Sequence, residues 1–92
     1  MTGRVIRIER VSSRGGVVEE PVVTAKGYRL ADPAHGKHKH HAENATHVRT
    51  LHEAAALIGK GFSIWMGARG KRASLIAPKS LRIVHAGDAQ AG

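Results

Sequence analysis

Helical periodicity is confined to one short stretch of this sequence, and most of the rest is divided into short β-branched runs by glycine and proline. The stretch opens with Thr-Leu-His-Glu at residues 50–53, a capping box in which the threonine hydroxyl accepts from the amide at the third helical position. Apolar residues then recur at helical spacing through Ile58, and Gly-Lys-Gly at residues 59–61 supplies a left-handed stop. The sequence therefore predicts one short helix over about residues 50–59, held by packing.

The first 24 residues predict a β-hairpin. Residues 4–11 are β-branched and partly alternating, which places Ile6 and Ile8 on one face of a strand. Residues 12–16 read Ser-Ser-Arg-Gly-Gly, which is typical of a turn because paired glycines accept positive φ. Residues 17–24 are expected to form the second strand of this N-terminal hairpin. Pro21 lacks an amide donor, so we expect an edge strand, a bulge or a shorter strand there.

The second half of the chain predicts the order β-α-β-β-β. A short strand at residues 47–49 precedes the helix, residues 62–66 alternate after it, and a turn at 67–71 leads to strands at 72–77 and 81–84. We predict an α+β fold: a small single domain over residues 1–85, with a mostly antiparallel sheet of about five to seven short strands. Within it, residues 32–45 are expected to form an exposed His/Lys-rich loop, and residues 86–92 a disordered tail.

Composition limits the stability and chemistry of such a domain. The chain has 92 residues, three aromatic side chains and no cysteine. Its core is therefore expected to be aliphatic and thin, so that a homodimer would supplement it, and thiolate chemistry is excluded. No segment fits a secretory signal, and no apolar run reaches the length of a membrane span. We therefore expect a soluble, cytoplasmic protein with no membrane partner.

The formal net charge of +8 favours polyanionic partners. Residues 54–87 contain six lysines and arginines and no carboxylate, which is typical of a surface with one sign of charge. Three of these bases lie in or beside the predicted turn at 67–71, from where they can reach phosphate oxygens. We therefore predict a non-enzymatic protein that binds nucleic acid without a cofactor, through Arg69, Lys71, Arg72, Lys79 and Arg82, with Lys37 and Lys39 in a second, pH-sensitive patch.

The few aromatic side chains limit what this surface can recognise. Tyr28, Phe62 and Trp65 are too few for a base-stacking platform, so phosphate contacts without base specificity are expected, to DNA or RNA alike. Trp65 alternates away from Ile64 and Met66, which leaves it either in the core or on an open face where it can stack a base. The alternative from another class is a protein-interaction module, or a homodimeric subunit, that docks an acidic partner through the same basic face.

The densest polar run lies at residues 35–41, where four histidines are interleaved with two lysines. Imidazole is a common ligand of zinc, nickel and copper, so His35, His38, His40 and His41 are a candidate site for a divalent transition metal. Lys37 and Lys39 repel a cation, which favours a solvated loop. The run also suggests a hydrolase, with His40 or His41 as general base and Lys37 or Lys39 stabilising a phosphate.

Overall fold

The computed structural model describes residues 4–11, 19–67 and 72–87. These residues form eight strands and one α-helix: β1 (Val5–Arg10), β2 (Glu20–Pro21), β3 (Val23–Thr24), β4 (Gly27–Ala31), β5 (Thr46–Val48), α1 (Leu51–Gly59), β6 (Ser63–Gly67), β7 (Ser74–Ile76) and β8 (Leu81–His85). Three segments are 3-10 helical, namely Pro33–His40, Ala42–Asn44 and Pro78–Ser80. Every pairing is antiparallel and the strands fall into two sheets, which confirms the predicted α+β class.

The larger sheet is centred on β4 and β6. Leu30 of β4 pairs with Thr46 of β5 and also with Ile64 of β6, so β5 and β6 lie on opposite edges of β4 and run in the same direction. α1 connects these two strands, and β7 returns beside β6 as its hairpin partner. The predicted order β-α-β-β-β is therefore confirmed.

The N-terminal strands pair differently from the predicted β-hairpin. β1 pairs with β8 in a separate two-stranded sheet, while β2 pairs with β6 and β3 with β4. Pro21 accounts for part of the difference, because a residue without an amide donor suits an edge position such as the one it occupies beside Met66. β8 also brings Leu81 and Ile83 against the core beside β1. The predicted turn at 12–16 lies outside the described residues.

The helix forms where the sequence predicts it. The Thr50 hydroxyl accepts from the Glu53 amide (3.1 Å) and donates to the Glu53 carboxylate (3.0 Å). Both hydrogen bonds of the capping pair therefore involve this hydroxyl. At the other end, Gly61 adopts a φ of +100°, the left-handed conformation that the glycines of residues 59–61 predicted. No helix within the described ranges is long and apolar enough to cross a membrane.

One hydrophobic core joins both sheets and the helix. Its buried members come from five elements and are Ile8, Leu30, Ala54, Ile58, Ile64, Met66 and Ile76. Tyr28, Leu51 and Phe62 pack against this cluster while half-buried. The centre of the core is therefore aliphatic, as the composition predicted.

Residues 32–45 are more regular than the predicted loop. Asp32 caps the first 3-10 segment by accepting from the Ala34 amide (2.8 Å), and Pro33 occupies its first turn. Gly36, with φ +55° and ψ −128°, breaks this segment in two. No residue of Pro33–His40 is buried, because the segment lacks apolar side chains that could pack on the sheet.

Candidate functional site

The histidine segment holds its rings apart rather than around a common centre. The rings of His38 and His41 meet edge to face, with 5.5 Å between centroids. His40 Nδ1 lies 3.5 Å from the Lys37 carbonyl oxygen, and His41 Nδ1 lies 3.6 Å from a carboxylate oxygen of Glu43. The imidazoles of His38, His40 and His41 thus make local contacts along the segment.

The four predicted metal ligands do not form a coordination group. Within residues 4–11, 19–67 and 72–87, no three His, Asp or Glu side chains are placed so that they could hold a metal ion. Of the proposed ligands, only His38 and His41 contact each other. The backbone break at Gly36 contributes to this spread, because it interrupts the regular spacing between His35 and His38.

The predicted phosphate-contacting residues differ in exposure and in ion pairing. Arg72 and Lys79 are exposed and make no ion pair with any described carboxylate. Arg82 on β8 hydrogen-bonds through Nε to a carboxylate oxygen of Glu9 on β1 (2.8 Å). A terminal guanidinium nitrogen contacts the same oxygen, so the charge of Arg82 is paired with that of Glu9. Arg69 and Lys71 lie outside the described residues, in the connection from β6 to β7. Lys37 is exposed and Lys39 half-buried in the histidine segment.

Glu9 is held between two arginines. Arg82 contacts one carboxylate oxygen, and Arg7 Nε lies 3.1 Å from the other. The hydrogen bond from Arg82 lowers the pKa of Glu9 below its ordinary value of 4.5, and Arg7 acts in the same direction. The ionised carboxylate therefore stabilises the pairing of β1 with β8.

We expect Glu9→Gln to lower the free energy of unfolding at neutral pH, and the deficit to shrink as the pH falls. A lowered pKa in the folded state stabilises the protein above the ordinary carboxylate pKa, and this contribution is lost as pH falls through the lowered value. Urea unfolding of both proteins between about pH 7 and about pH 2 measures the difference. A deficit that did not change with pH would show that Glu9 acts by packing rather than by charge.

Nearly all described carboxylates are engaged locally. Arginines bind Glu9 and Glu19, Asp32 caps the first 3-10 segment, the Glu53 carboxylate accepts from the Thr50 hydroxyl, and Glu43 faces His41. Of the acidic residues in the described ranges, Glu20 has no such partner. Several exposed bases make no ion pair with any carboxylate of the described ranges, namely Arg4, Lys26, Lys37, Arg49, Lys60, Arg72 and Lys79.

Sequence reasoning missed a cleft beside β1. It has two adjoining parts of about 530 and 290 Å³, which share the side chains of Ile6, Tyr28 and Leu51. Arg4 and His52 line the larger part, and Val23 lines the smaller one. We call this surface the β1 cleft. Its residues come from five elements, β1, β2, β3, β4 and α1, so no sequence spacing reveals it.

The turn between β3 and β4 adds charge close to this cleft. Gly27 lies so near to Arg49 that a Cβ built on it would come within 3.5 Å of the Arg49 Cα. Lys26 precedes Gly27, and Arg49 precedes the Thr50 cap that lines the cleft. The backbones of these two basic segments therefore approach each other, although Lys26 and Arg49 do not line the cleft.

Trp65 is buried in the larger sheet. The residue is 7% exposed, and the Arg29 guanidinium lies over its ring, 5.4 Å from the centroid. Ser63, Ile64 and Met66 are buried as well, so both faces of β6 are covered. Trp65 therefore has the core role that sequence alternation left open, and it is not available to stack a base.

No protein-family model, no curated protein and no solved structure matches this chain.

Proposed function

We propose that this protein is a non-enzymatic domain that binds nucleic acid through its phosphates, without base specificity. The observation that carries the proposal is the imbalance of charge pairing: most described carboxylates are held in ion pairs or helix-start hydrogen bonds, while seven exposed lysines and arginines make no ion pair with any described carboxylate. Unpaired surface cations attract a polyanion, and they release its condensed counterions when they bind.

The contacts that we assign are those of the carboxylate-free half of the chain. Arg72 and Lys79 flank β7 and are exposed, and Arg69 and Lys71 belong to the connection before it. Arg82 contributes less in this proposal, because it already hydrogen-bonds to Glu9. Lys37 and Lys39, with the neighbouring histidines, form the second patch.

The position of Trp65 supports binding without base readout. Single-stranded nucleic acid is commonly held by bases stacked on exposed aromatic rings. Here Trp65 is buried, while Tyr28 and Phe62 pack against the core. With those rings engaged, phosphate contacts are the interaction that this surface offers, and they carry no sequence information.

Titration of labelled duplex DNA, single-stranded DNA and structured RNA tests the proposal, at about 50 and about 200 mM salt. We expect binding at the lower salt, and a steep loss at the higher one. The variant Arg69→Ala, Lys71→Ala and Arg72→Ala should reduce the slope of log affinity against log salt by about two to three units, because each phosphate contact contributes about 0.9.

A variant with the same change in charge provides the control. Lys26→Ala, Arg49→Ala and Lys60→Ala also removes three exposed cations, none of which is among the contacts assigned above. It should retain most of the affinity and of the salt slope. Absence of binding to all three nucleic acids at low salt would overturn the proposal, and salt-insensitive capture of an acidic protein would favour the rival interaction module.

A further inference from the structure

Arg29, on the central strand β4, carries a charge that no described carboxylate neutralises. The residue is half-buried and takes part in none of the ion pairs within residues 4–11, 19–67 and 72–87. Its Nε is buried and has no hydrogen-bond partner. A buried donor without a partner is destabilising, so such a group in a native protein calls for an explanation.

The register of the larger sheet places Arg29 between two rings. Leu30 belongs to the hydrophobic core, so its neighbour Arg29 projects from the opposite face of β4. On one edge Arg29 pairs with His47 of β5. On the other side its guanidinium lies over the Trp65 ring of β6, 5.4 Å from the centroid. Because Trp65 is buried and His47 is exposed, this cluster has a covered side and an open side.

The two terminal nitrogens of Arg29 are the part of the guanidinium that a ligand can reach. Unlike Nε, they are not buried atoms that lack a partner, and no described residue accepts a hydrogen bond from them, so they face solvent. The Trp65 ring and the burial of Nε remove water from the rest of the group. A partly desolvated cation without a counter-ion attracts an anion more strongly than a fully hydrated one. Its end is also a fork of two donors, which matches two oxygens of an oxyanion.

His47 adds a further donor beside this fork. Directly opposite residues of an antiparallel pair have Cβ atoms only about 4.5 to 5.5 Å apart, so one small group can contact both side chains. Imidazole keeps at least one N–H donor in either protonation state. A carboxylate has two oxygens, and the fork uses both of them. A tetrahedral phosphate group has further oxygens that point toward the neighbouring strand, so it fits the pair better.

We propose that Arg29 and His47 form a binding site for one phosphate group. Two of its oxygens accept from the terminal nitrogens of Arg29 and a third accepts from the His47 imidazole, while the Trp65 ring holds the guanidinium in place. The site is separate from the nucleic-acid contacts proposed above, because β6 lies between β4 and β7, the strand that Arg72 and Lys79 flank. The phosphate group belongs either to a small compound or to a nucleic acid, and the experiments below separate these sources.

The chain has a single tryptophan, so its fluorescence reports on this site. The test is a titration with inorganic phosphate at neutral pH, with sodium chloride keeping the ionic strength constant. We expect a saturable change in Trp65 emission with half-saturation at about 1 mM. The backbone amide resonances of residues 29 and 47 in NMR spectra provide a second readout and should shift along the same curve. Acetate, which has no third oxygen for His47, should bind at least about threefold more weakly.

Matched variants localise the response. Arg29→Gln removes the fork and should weaken phosphate binding about tenfold or more. Arg4→Gln makes the same chemical change at an exposed arginine ahead of β1, and should alter the affinity less than about twofold. His47→Ala should weaken binding about threefold or more. Circular dichroism verifies the fold of each variant. Arg29→Lys, which keeps the charge but loses the fork, should also weaken binding and serves as the test if Arg29→Gln does not fold.

Absence of a saturable change in both readouts would overturn the proposal. So would equal loss in Arg29→Gln and Arg4→Gln, or equal affinity for acetate. Nucleic-acid titrations then identify the source of the group. A salt slope lowered by about one unit in Arg29→Gln assigns it to nucleic acid, and an unchanged slope assigns it to a small phosphate compound. The Arg69, Lys71 and Arg72 variant should lose nucleic-acid affinity and keep the response to inorganic phosphate, so either proposal can fail without the other.

Discussion

Trp65→Ala is expected to remove a large part of the stability of this protein. Trp65 is 7% exposed and lies on the central strand β6, which pairs with β4 on one edge and with β7 on the other. Truncation of a buried tryptophan costs about 3 to 5 kcal/mol, and a domain of this length has about 5 to 14 kcal/mol in total. The Arg29 guanidinium would also lose the ring on which it lies. Chemical unfolding followed by far-UV circular dichroism measures the loss.

The same variant separates a structural role from a recognition role. If Trp65 stacked a base on an open face, its removal would leave stability within about 0.5 kcal/mol of the parent and would weaken nucleic-acid binding instead. Val11→Ala, at an exposed valine, is the control for a harmless truncation. Trp65→Phe should recover much of the stability, because it refills most of the buried volume.

Gly27→Ala should be the most damaging of the glycine substitutions within the described residues. Gly27 has a φ of +109°, and a Cβ at this position would overlap with the carbonyl oxygen of Val48 on the neighbouring strand β5. Positive φ alone costs a side chain about 1 to 2 kcal/mol. Since the obstacle is backbone, β4 and β5 would have to separate to relieve the overlap. We expect a loss of at least about 3 kcal/mol in the free energy of unfolding.

Gly87→Ala separates the two causes of this loss. Gly87 has nearly the same conformation, with a φ of +102°, but nothing lies within 4 Å of a Cβ placed there. It should cost only the strain, about 1 to 2 kcal/mol. Equal losses at the two positions would show that the contact with Val48 does not limit the spacing of β4 and β5.

The sequence predicted those elements correctly whose structure depends on residues close together in the chain. The helix at 51–59 follows from the Thr50 cap, apolar spacing and the glycines after it, all within about a dozen positions. The hairpin of β6 and β7 is local in the same sense. The predicted partner of β1 was wrong because its actual partner, β8, lies more than 70 residues away in the sequence. No local pattern distinguishes β8 from residues 17–24 as the partner strand.

The candidate surfaces show the same contrast between features of one chain segment, which could be predicted, and features built from several elements, which could not. Composition indicated an exposed histidine segment and an excess of cations, since these are properties of single stretches of chain. The β1 cleft escaped prediction because Ile6, Val23, Tyr28 and Leu51 come from four separate elements. Likewise, the sequence placed Arg82 among the free cations, and only the pairing of β1 with β8 shows that Glu9 faces it.

The pairing of β1 with β8 also determines when the protein can complete its fold. β1 is synthesised first and must wait for β8, the last strand of the described chain, before it can pair. Until then the edge of β1 that pairs with β8 is open. During synthesis β1 is therefore the segment most exposed to wrong pairing with other chains. A truncation that ends before Leu81 would make this vulnerable stage permanent.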